Sequence, residues 1–203
     1  HVHNLDVANW FIGRYPRTAG AFGARTRRVS GNQYDFFGVD FDYGDGIRIH
    51  SQCRQIGGTS SFVGERFRTE QFEISGGGRI QKVGGEALQL GGDSYTLNGN
   101  TYPIKDGNPY VIEHENLLRG LLGQIPIMNE GEAVAMSTAC AVIGRISAYT
   151  GQTIRMSDII ENKDSPYYNL VCKPTWQEFE AGDVPMPEYG DDQAPLPGKP
   201  WGK

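Results

Sequence analysis

Cysteine is scarce in this chain: three residues, Cys53, Cys140 and Cys172, in 203. They are odd in number and far apart, with no Cys-x-x-Cys, so a disulfide framework or a zinc ribbon is excluded. No apolar run approaches the length that crosses a bilayer, which argues against a membrane partner. Basic residues are outnumbered, 19 to 24, and no basic run is interleaved with aromatics, so nucleic acid is excluded as a partner. No Gly-x-Gly-x-x-Gly follows a strand and opens a helix, and Ser75-Gly76-Gly77-Gly78 leads into strand-like sequence. No Gly-x-Ser-x-Gly elbow is present. Asp40-x-Asp42 hints at a calcium loop, but the twelfth position is Ser51 and the sixth is Asp45, where the ligand pattern requires glutamate and glycine. His1 and His3, two apart at a helix start, cannot both reach one metal from one face.

What is present begins with the first thirteen residues. Leu5, Ala8, Phe11 and Ile12 recur at helical spacing and predict a buried stripe. Gly13 supplies a left-handed stop. His3 and Asp6 are three apart and can meet on one side of the first turn. Arg14 to Pro16 is a turn, and Thr18 to Arg28 is expected to be extended. Arg25, Arg27 and Arg28 could hold an acidic group, with a solvated edge as the plainer alternative.

Tyr34 to Arg54 predicts a hairpin. Phe37, Val39, Phe41 and Tyr43 alternate with polar residues or glycine, as do Ile47, Ile49 and Ser51. A two-residue loop would set Asp42 against Ile47 or Ile49 and mix the faces. A three-residue loop, Gly44-Asp45-Gly46, sets Tyr43 against Ile47, Phe41 against Ile49, Asp42 against Arg48 and Asp40 against His50. It places Gly46 in the left-handed position of a bulge. One face then lies under helices, and the charged face meets water or another subunit.

Glu65 to Ile74 is read as one further strand, and Ser75 to Asn100 as a meander punctuated by glycines. Asn108 caps a helix with Pro109 at its first position, running to about Leu122. Asn129 and Glu132 open a second helix to about Tyr149, slender enough through its alanines and Gly144 to approach a sheet closely. Gly151 ends it, and Cys140 within it is expected to be inert. Ser157 to about Glu161 is a short helix. Beyond Ala181, prolines exclude regular structure. The domain boundaries are therefore 1–180 for an α+β domain and 181–203 for an extended tail. Strands followed by helices predict an open, mostly antiparallel sheet with helices packed on one face.

The run His3-Asn4-Leu5-Asp6 with Trp10 and Gly13 resembles a helix of the C-terminal domain in the Gfo/Idh/MocA family of oxidoreductases. Glu113-His114-Glu115-Asn116-Leu117-Leu118-Arg119-Gly120 extends the resemblance, followed by Ser137-Thr138 to Ile143-Gly144-Arg145, then Tyr149-Thr150-Gly151-Gln152. It implies an α+β substrate domain whose dinucleotide-binding (Rossmann) domain precedes this chain, and whose free sheet face forms a homo-oligomer. It implies NAD or NADP in the intact enzyme, with none bound by this chain alone, and a sugar, sugar derivative or cyclitol as substrate. It assigns the catalytic acid/base role to His3, which would work beside a lysine from the dinucleotide-binding domain and usually beside an acidic residue four positions before the histidine, a position that would precede His1. His1, Asn4 and Tyr149 are candidate substrate contacts, with His114 behind them, and Asp6 is a support. Transient oxidation with glycoside cleavage, or a non-enzymatic binding or scaffold domain using the sheet, remain as alternatives. The compartment, cytoplasm or periplasm, is left open.

Overall fold

The computed structural model describes residues 1–29, 31, 33–75, 79–88, 92–97, 99–105, 107–168, 177, 180–182, 194 and 196–198. The Gly76-Gly77-Gly78 run, Asn98, Cys172 and most of the proline-rich segment lie outside them. The chain divides into two compact units, His1–Phe62 with Val134–Lys203, and Val63–Ala133.

In the first unit a four-stranded sheet is built from β1 (Thr18–Ala24), β2 (Phe36–Gly44), β3 (Ile47–Arg54) and the two-residue β10 (Ile154–Arg155), in the order β10-β1-β2-β3. Every pairing is antiparallel. Ala19, Val39, Phe41, Tyr43 and Ile154 point to one side and are buried with Leu5 of helix α1 (Val2–Ile12) and Cys140, Ile143 and Ile146 of helix α3 (Gly131–Thr150). Helix α4 (Ser157–Ile160) follows β10. Close approach of α3 to the sheet rests on Gly144. A methyl there would stand 3.1 Å from Val39 and 3.4 Å from the ring of Phe41.

By length and composition α3 meets the minimum for a membrane span, contrary to the expectation drawn from apolar runs. Its Ser137, Cys140, Ile143, Gly144 and Ile146–Thr150 are buried in this unit. Where β10 ends, the sheet would lose a partner for the next backbone group of β1. Ser147 fills that place: its hydroxyl accepts from the Ala21 N–H (2.9 Å) and donates to the Gln152 carbonyl (2.6 Å), satisfying a group that burial would otherwise penalise.

The hairpin keeps the expected faces by a different device. Asp40 pairs with His50, Phe41 with Ile49 and Asp42 with Arg48, as expected, but Ile47 pairs with Gly44 and not with Tyr43. The connection is a two-residue turn, Asp45-Gly46, and the extra residue sits in a bulge between Asp42 and Gly44. Gly44, Asp45 and Gly46 all have positive φ, at 81°, 54° and 78°. Positive φ at both central residues matches the right-handed twist of the strands. The bulge then restores the side-chain alternation that a two-residue turn alone would have inverted. Asp42 secures the bulge by accepting from the Gly44 N–H at 2.7 Å.

Asp35 anchors the other end of the hairpin. The extended segment stops at Ala24, short of the expected Arg28, and the backbone turns to wrap a carboxylate. The N–H groups of Thr26, Arg27 and Arg28 donate to Asp35 at 2.7–3.1 Å, and the Thr26 hydroxyl adds a bond of 3.1 Å. Burial pushes the carboxyl up, but these donors outweigh it and hold Asp35 well below the usual carboxylate range. The arginine segment thus holds an acid, through its amides and not its guanidinium groups.

The second unit holds β4 (Arg66–Arg68), β5 (Phe72–Ser75), β6 (Arg79–Lys82) and β7 (Ala87–Leu88) in one antiparallel sheet, and β8 (Ser94–Leu97) with β9 (Asn100–Pro103) in another. The single strand expected over 65–74 is instead a hairpin. Thr69 Oγ1 accepts from the Gln71 and Phe72 N–H groups and turns the chain between β4 and β5. Strands β4 to β9 stay out of the main sheet, so the described residues form one helix-covered sheet and two smaller ones. Helix α2 (Pro109–Leu121) starts as expected, with Asn108 accepting from the Tyr110 N–H at 3.0 Å.

Candidate functional site

Helix α1 carries His3, with His1 at its N-cap. It spans Val2–Ile12 and is closed by Gly13 at φ 76°. Leu5, Ala8 and Asn9 are buried and Ile12 is packed against the core. Phe11, expected in the buried stripe, is 48% exposed. At 100° per residue it falls about 120° round from Leu5, whereas Asn9 falls only about 40° away and takes the inward place.

His3 is exposed, about 160° round from Leu5. Val7, Trp10 and Phe11, all exposed, share this outward side. His1 is drawn toward the sheet, its Nε2 lying 2.7 Å from the hydroxyl of Ser51 on β3. Asn4 is half-buried. Asp6 flanks the two faces and does not serve His3 by a described hydrogen bond; its carboxylate accepts from the Ser137 hydroxyl of α3 at 2.6 Å.

Behind Asp6 runs a buried polar chain. Ser137 Oγ accepts from the Asn9 amide nitrogen at 3.0 Å, and Asn9 Oδ1 accepts from the Tyr43 hydroxyl at 2.8 Å. Asn9 also reaches Cys140 Sγ at 3.6 Å. Burial pushes the Tyr43 phenol up, and Cys140 adds to the shift. Burial likewise pushes the Cys140 thiol up, to about 11, against the opposing effect of the Asn9 amide. Both therefore keep their protons at neutral pH, and Cys140 is an inert thiol as expected. A protonated Tyr43 must donate to Asn9 Oδ1. That turns the amide nitrogen toward Ser137 and frees the Ser137 O–H for Asp6. The three bonds point one way, toward the carboxylate.

Tyr149 is not brought to this place. It lies twelve residues beyond Ser137 on α3, about 18 Å along the helix. It is buried edge-on against Tyr34 (centroids 4.6 Å), with the Arg145 guanidinium 5.0 Å from its ring centre. His114 sits on α2 in the other unit, exposed, its Nδ1 2.6 Å from the Tyr110 carbonyl.

Asn9, Ser137 and Tyr43 were not proposed as site residues from sequence, although Tyr43 was placed on the apolar face of the hairpin and Ser137 opens one of the runs that carry the resemblance. One signal was available for Asn9: it is a polar residue at an inward position, four after Leu5. Among the described residues no group of three or more His, Cys, Asp or Glu side chains could hold a metal. The described strands pair antiparallel throughout, and no βαβ crossover with a glycine-rich turn occurs among them. These residues do not fit a dinucleotide cradle.

No protein-family description matches the chain, and no curated protein does. Solved structures do. UDP-N-acetylglucosamine 3-dehydrogenase GnnA from Acidithiobacillus ferrooxidans aligns at 16% identity and TM-score 0.55, over 72% of this chain and 45% of that one. The WlbA dehydrogenase from Bordetella pertussis, solved with NADH and UDP-GlcNAcA, aligns at 17% and 0.52, over 76% and 42%. The aldose-aldose oxidoreductase from Caulobacter crescentus aligns at 15% and 0.52, over 76% and 45%. These neighbours are oxidoreductases of the Gfo/Idh/MocA type. The chain shares the α+β fold of their C-terminal domains and spans less than half of their length. At such identities the likeness is one of fold.

Proposed function

We propose that this chain is the substrate domain of an NAD(P)-dependent oxidoreductase that acts on a hydroxyl carbon of a sugar, sugar derivative or cyclitol. One observation carries the reading: on a fold shared with sugar-nucleotide dehydrogenases, His3 stands exposed on the outward side of α1, clear of the core. An imidazole titrates near neutrality and can accept the hydroxyl proton as the carbon is oxidised. The hydride acceptor and its binding domain belong outside these residues. Asn4 beside His3 is the nearest candidate for a substrate contact. His1 is tied to Ser51 and Tyr149 is enclosed in an aromatic cluster, so both are assigned to structure.

The substrate domain covers 1–180 and 181–203 is its tail, which meets the domain at Gly198. The Gly198 N–H donating to the Thr150 carbonyl at 2.8 Å supports that arrangement. The free face of the main sheet is assigned to a homo-oligomer. It carries Phe22, 64% exposed, whose ring covers Gly38, beside the Asp40–His50 and Asp42–Arg48 pairs.

In the full-length protein, His3→Ala should lower kcat/KM by ~10²–10⁴ while leaving Tm nearly unchanged. Undiminished turnover, or a variant that unfolds, would return His3 to a structural role. Calorimetric titration of this chain with NAD and NADP should show no micromolar binding; finding it would sink the assignment of the cofactor to another domain.

A further inference from the structure

We propose that the chain Tyr43–Asn9–Ser137–Asp6 sets the rotation of α1 about its own axis, and that Ser137 and Asn9 are thereby positioning residues for His3. The inference rests on the function proposed above. Its physical basis is the contrast between what holds α1 down and what could hold it at one angle. Leu5, Ala8 and Ile12 supply burial, which is non-directional. Small aliphatic contacts tolerate a few degrees of roll. Hydrogen bonds do not, because they weaken steeply off line.

The anchors sit to one side of the helix. Asn9 lies about 40° and Asp6 about 100° round from Leu5, in the direction of His3. Their partners are fixed independently. Ser137 is on α3 and is 1% exposed. Tyr43 is on β2 and wholly buried. So one polar line ties α1 to both α3 and β2, beside the His1–Ser51 bond from the helix start to β3. A side chain tip stands about 6 Å from a helix axis, so a roll of about 20° would carry the His3 imidazole about 2 Å. A misplacement of about 1 Å can cost about 10²-fold in rate. The chain is also one in which every member is needed. Removing the Ser137 hydroxyl leaves the Asn9 amide only the Cys140 sulfur, at 3.6 Å, among its described acceptors and takes from Asp6 its described donor, and restoring either bond requires the helix to turn.

The test is a double-mutant cycle in the full-length protein. Rates of NAD and NADP reduction are measured with UDP-N-acetylglucosamine, D-glucose and myo-inositol as probe substrates, for wild type, Ser137→Ala, His3→Ala and the double variant. Ser137→Ala should lower kcat about 10- to 100-fold with KM within about 3-fold, and should cost nothing further once His3 is gone. Equal costs in both backgrounds, or an unchanged kcat, overturn the positioning role and leave the proposed function standing. Undiminished turnover in His3→Ala overturns both. Tyr43→Phe removes one hydroxyl while keeping the ring, and serves where Ser137→Ala does not fold. It should give a smaller loss with the same dependence on His3. A second readout needs no substrate. The His3 Cε1–H resonance should shift on Ser137→Ala and on Tyr43→Phe; an unmoved resonance in both overturns the proposal even if no probe is turned over.

Discussion

Helices α3 and α2 put apolar side chains to opposite use. Nearly half of helix α3 is alanine, serine and glycine, yet Cys140, Ile143, Ile146, Ala148 and Tyr149 are all buried. Helix α2 is richer in large apolar residues and buries almost none. Tyr110, Val111, Leu117, Leu118 and Leu121, with Leu122 just beyond, are each more than half exposed. They recur at three- and four-residue spacing and form a stripe, but the stripe looks outward. The inward side is Ile112, Asn116, Arg119 and Gly120. Burial in this molecule follows what a helix can approach, not how apolar it is. Gly144 lets α3 come within van der Waals reach of Val39 and Phe41, and the core forms there.

The largest effect should therefore come from the α3 contact. Ile143 is fully buried among Leu5, Phe41 and Tyr43. Ile143→Ala should cost about 2–5 kcal/mol, from lost transfer energy plus the cavity left behind. Leu5→Ala, from the facing side of the same cluster, should fall in that range too. Urea unfolding reads both. A cost below about 1 kcal/mol at both sites would mean that the first unit is no better packed than the second.

Next in size is the hairpin turn. Gly46 has φ 78° and open space where a Cβ would go. Gly46→Val should thus cost about 1–2 kcal/mol through backbone strain alone. Gly44, also left-handed, would place a Cβ 2.6 Å from the Arg17 guanidinium, but that is the tip of an exposed, flexible side chain that can swing aside. Gly44→Val should therefore match Gly46→Val within about 1 kcal/mol in the same melt.

These two sites also mark how far the sequence could be read. Hairpin pairing over Asp40–Asp42 was legible because a period of two admits only a register that keeps Phe41 and Ile49 on one face. The bulge was not legible. A three-residue loop and a two-residue turn with one bulged residue move the strand by the same amount, and only backbone φ tells them apart. Helix caps at Asn108, Asn129 and Gly151 were legible because each meets a local need: Asn108 and Asn129 each accept from the amide two residues on, Tyr110 and Gly131, and Gly151 takes φ 70°. At the candidate site the sequence offered His3 through its spacing from Asp6 and the resemblance that spacing carries. The polar chain behind Asp6 was not legible, since Asn9 is bound by residues 34 and 128 positions away. No local pattern encodes such a partnership. Phe11 was misplaced for a related reason: the apolar stripe was drawn from hydrophobicity, while the inward arc had room for a polar residue whose partners were distant.

A pH experiment sharpens the comparison at the hairpin's base. Asp35 has a folded pKa held below its unfolded value, which is about 3.9. A depressed carboxyl contributes stability that is fully present above the unfolded pKa and is lost as pH falls toward the folded one. Wild type should lose stability below about pH 4, with up to one proton taken up at this site on unfolding. Asp35→Asn should lack that proton from the acid limb. An acid limb of the same slope in both proteins would show that the amides of residues 26–28 do not hold the carboxylate in solution.

The smallest expected effect is the most informative about the second unit. If the α2 stripe is solvated, cutting it back should do little, because side chains already in water lose no burial when replaced. Leu118→Gln and Leu121→Gln, made singly, should each change stability by no more than about 0.5 kcal/mol, the range for surface positions. Glutamine is chosen because its helix propensity is close to that of leucine, so the measurement reads burial and not backbone preference. A loss of about 2 kcal/mol or more at either site would be the signature of a covered leucine. It would break the contrast drawn between α2 and α3, since both helices would then be core helices. Measuring the loss at two protein concentrations decides the nature of the cover. A concentration-dependent midpoint assigns it to another copy of the chain, and a concentration-independent one to the same molecule.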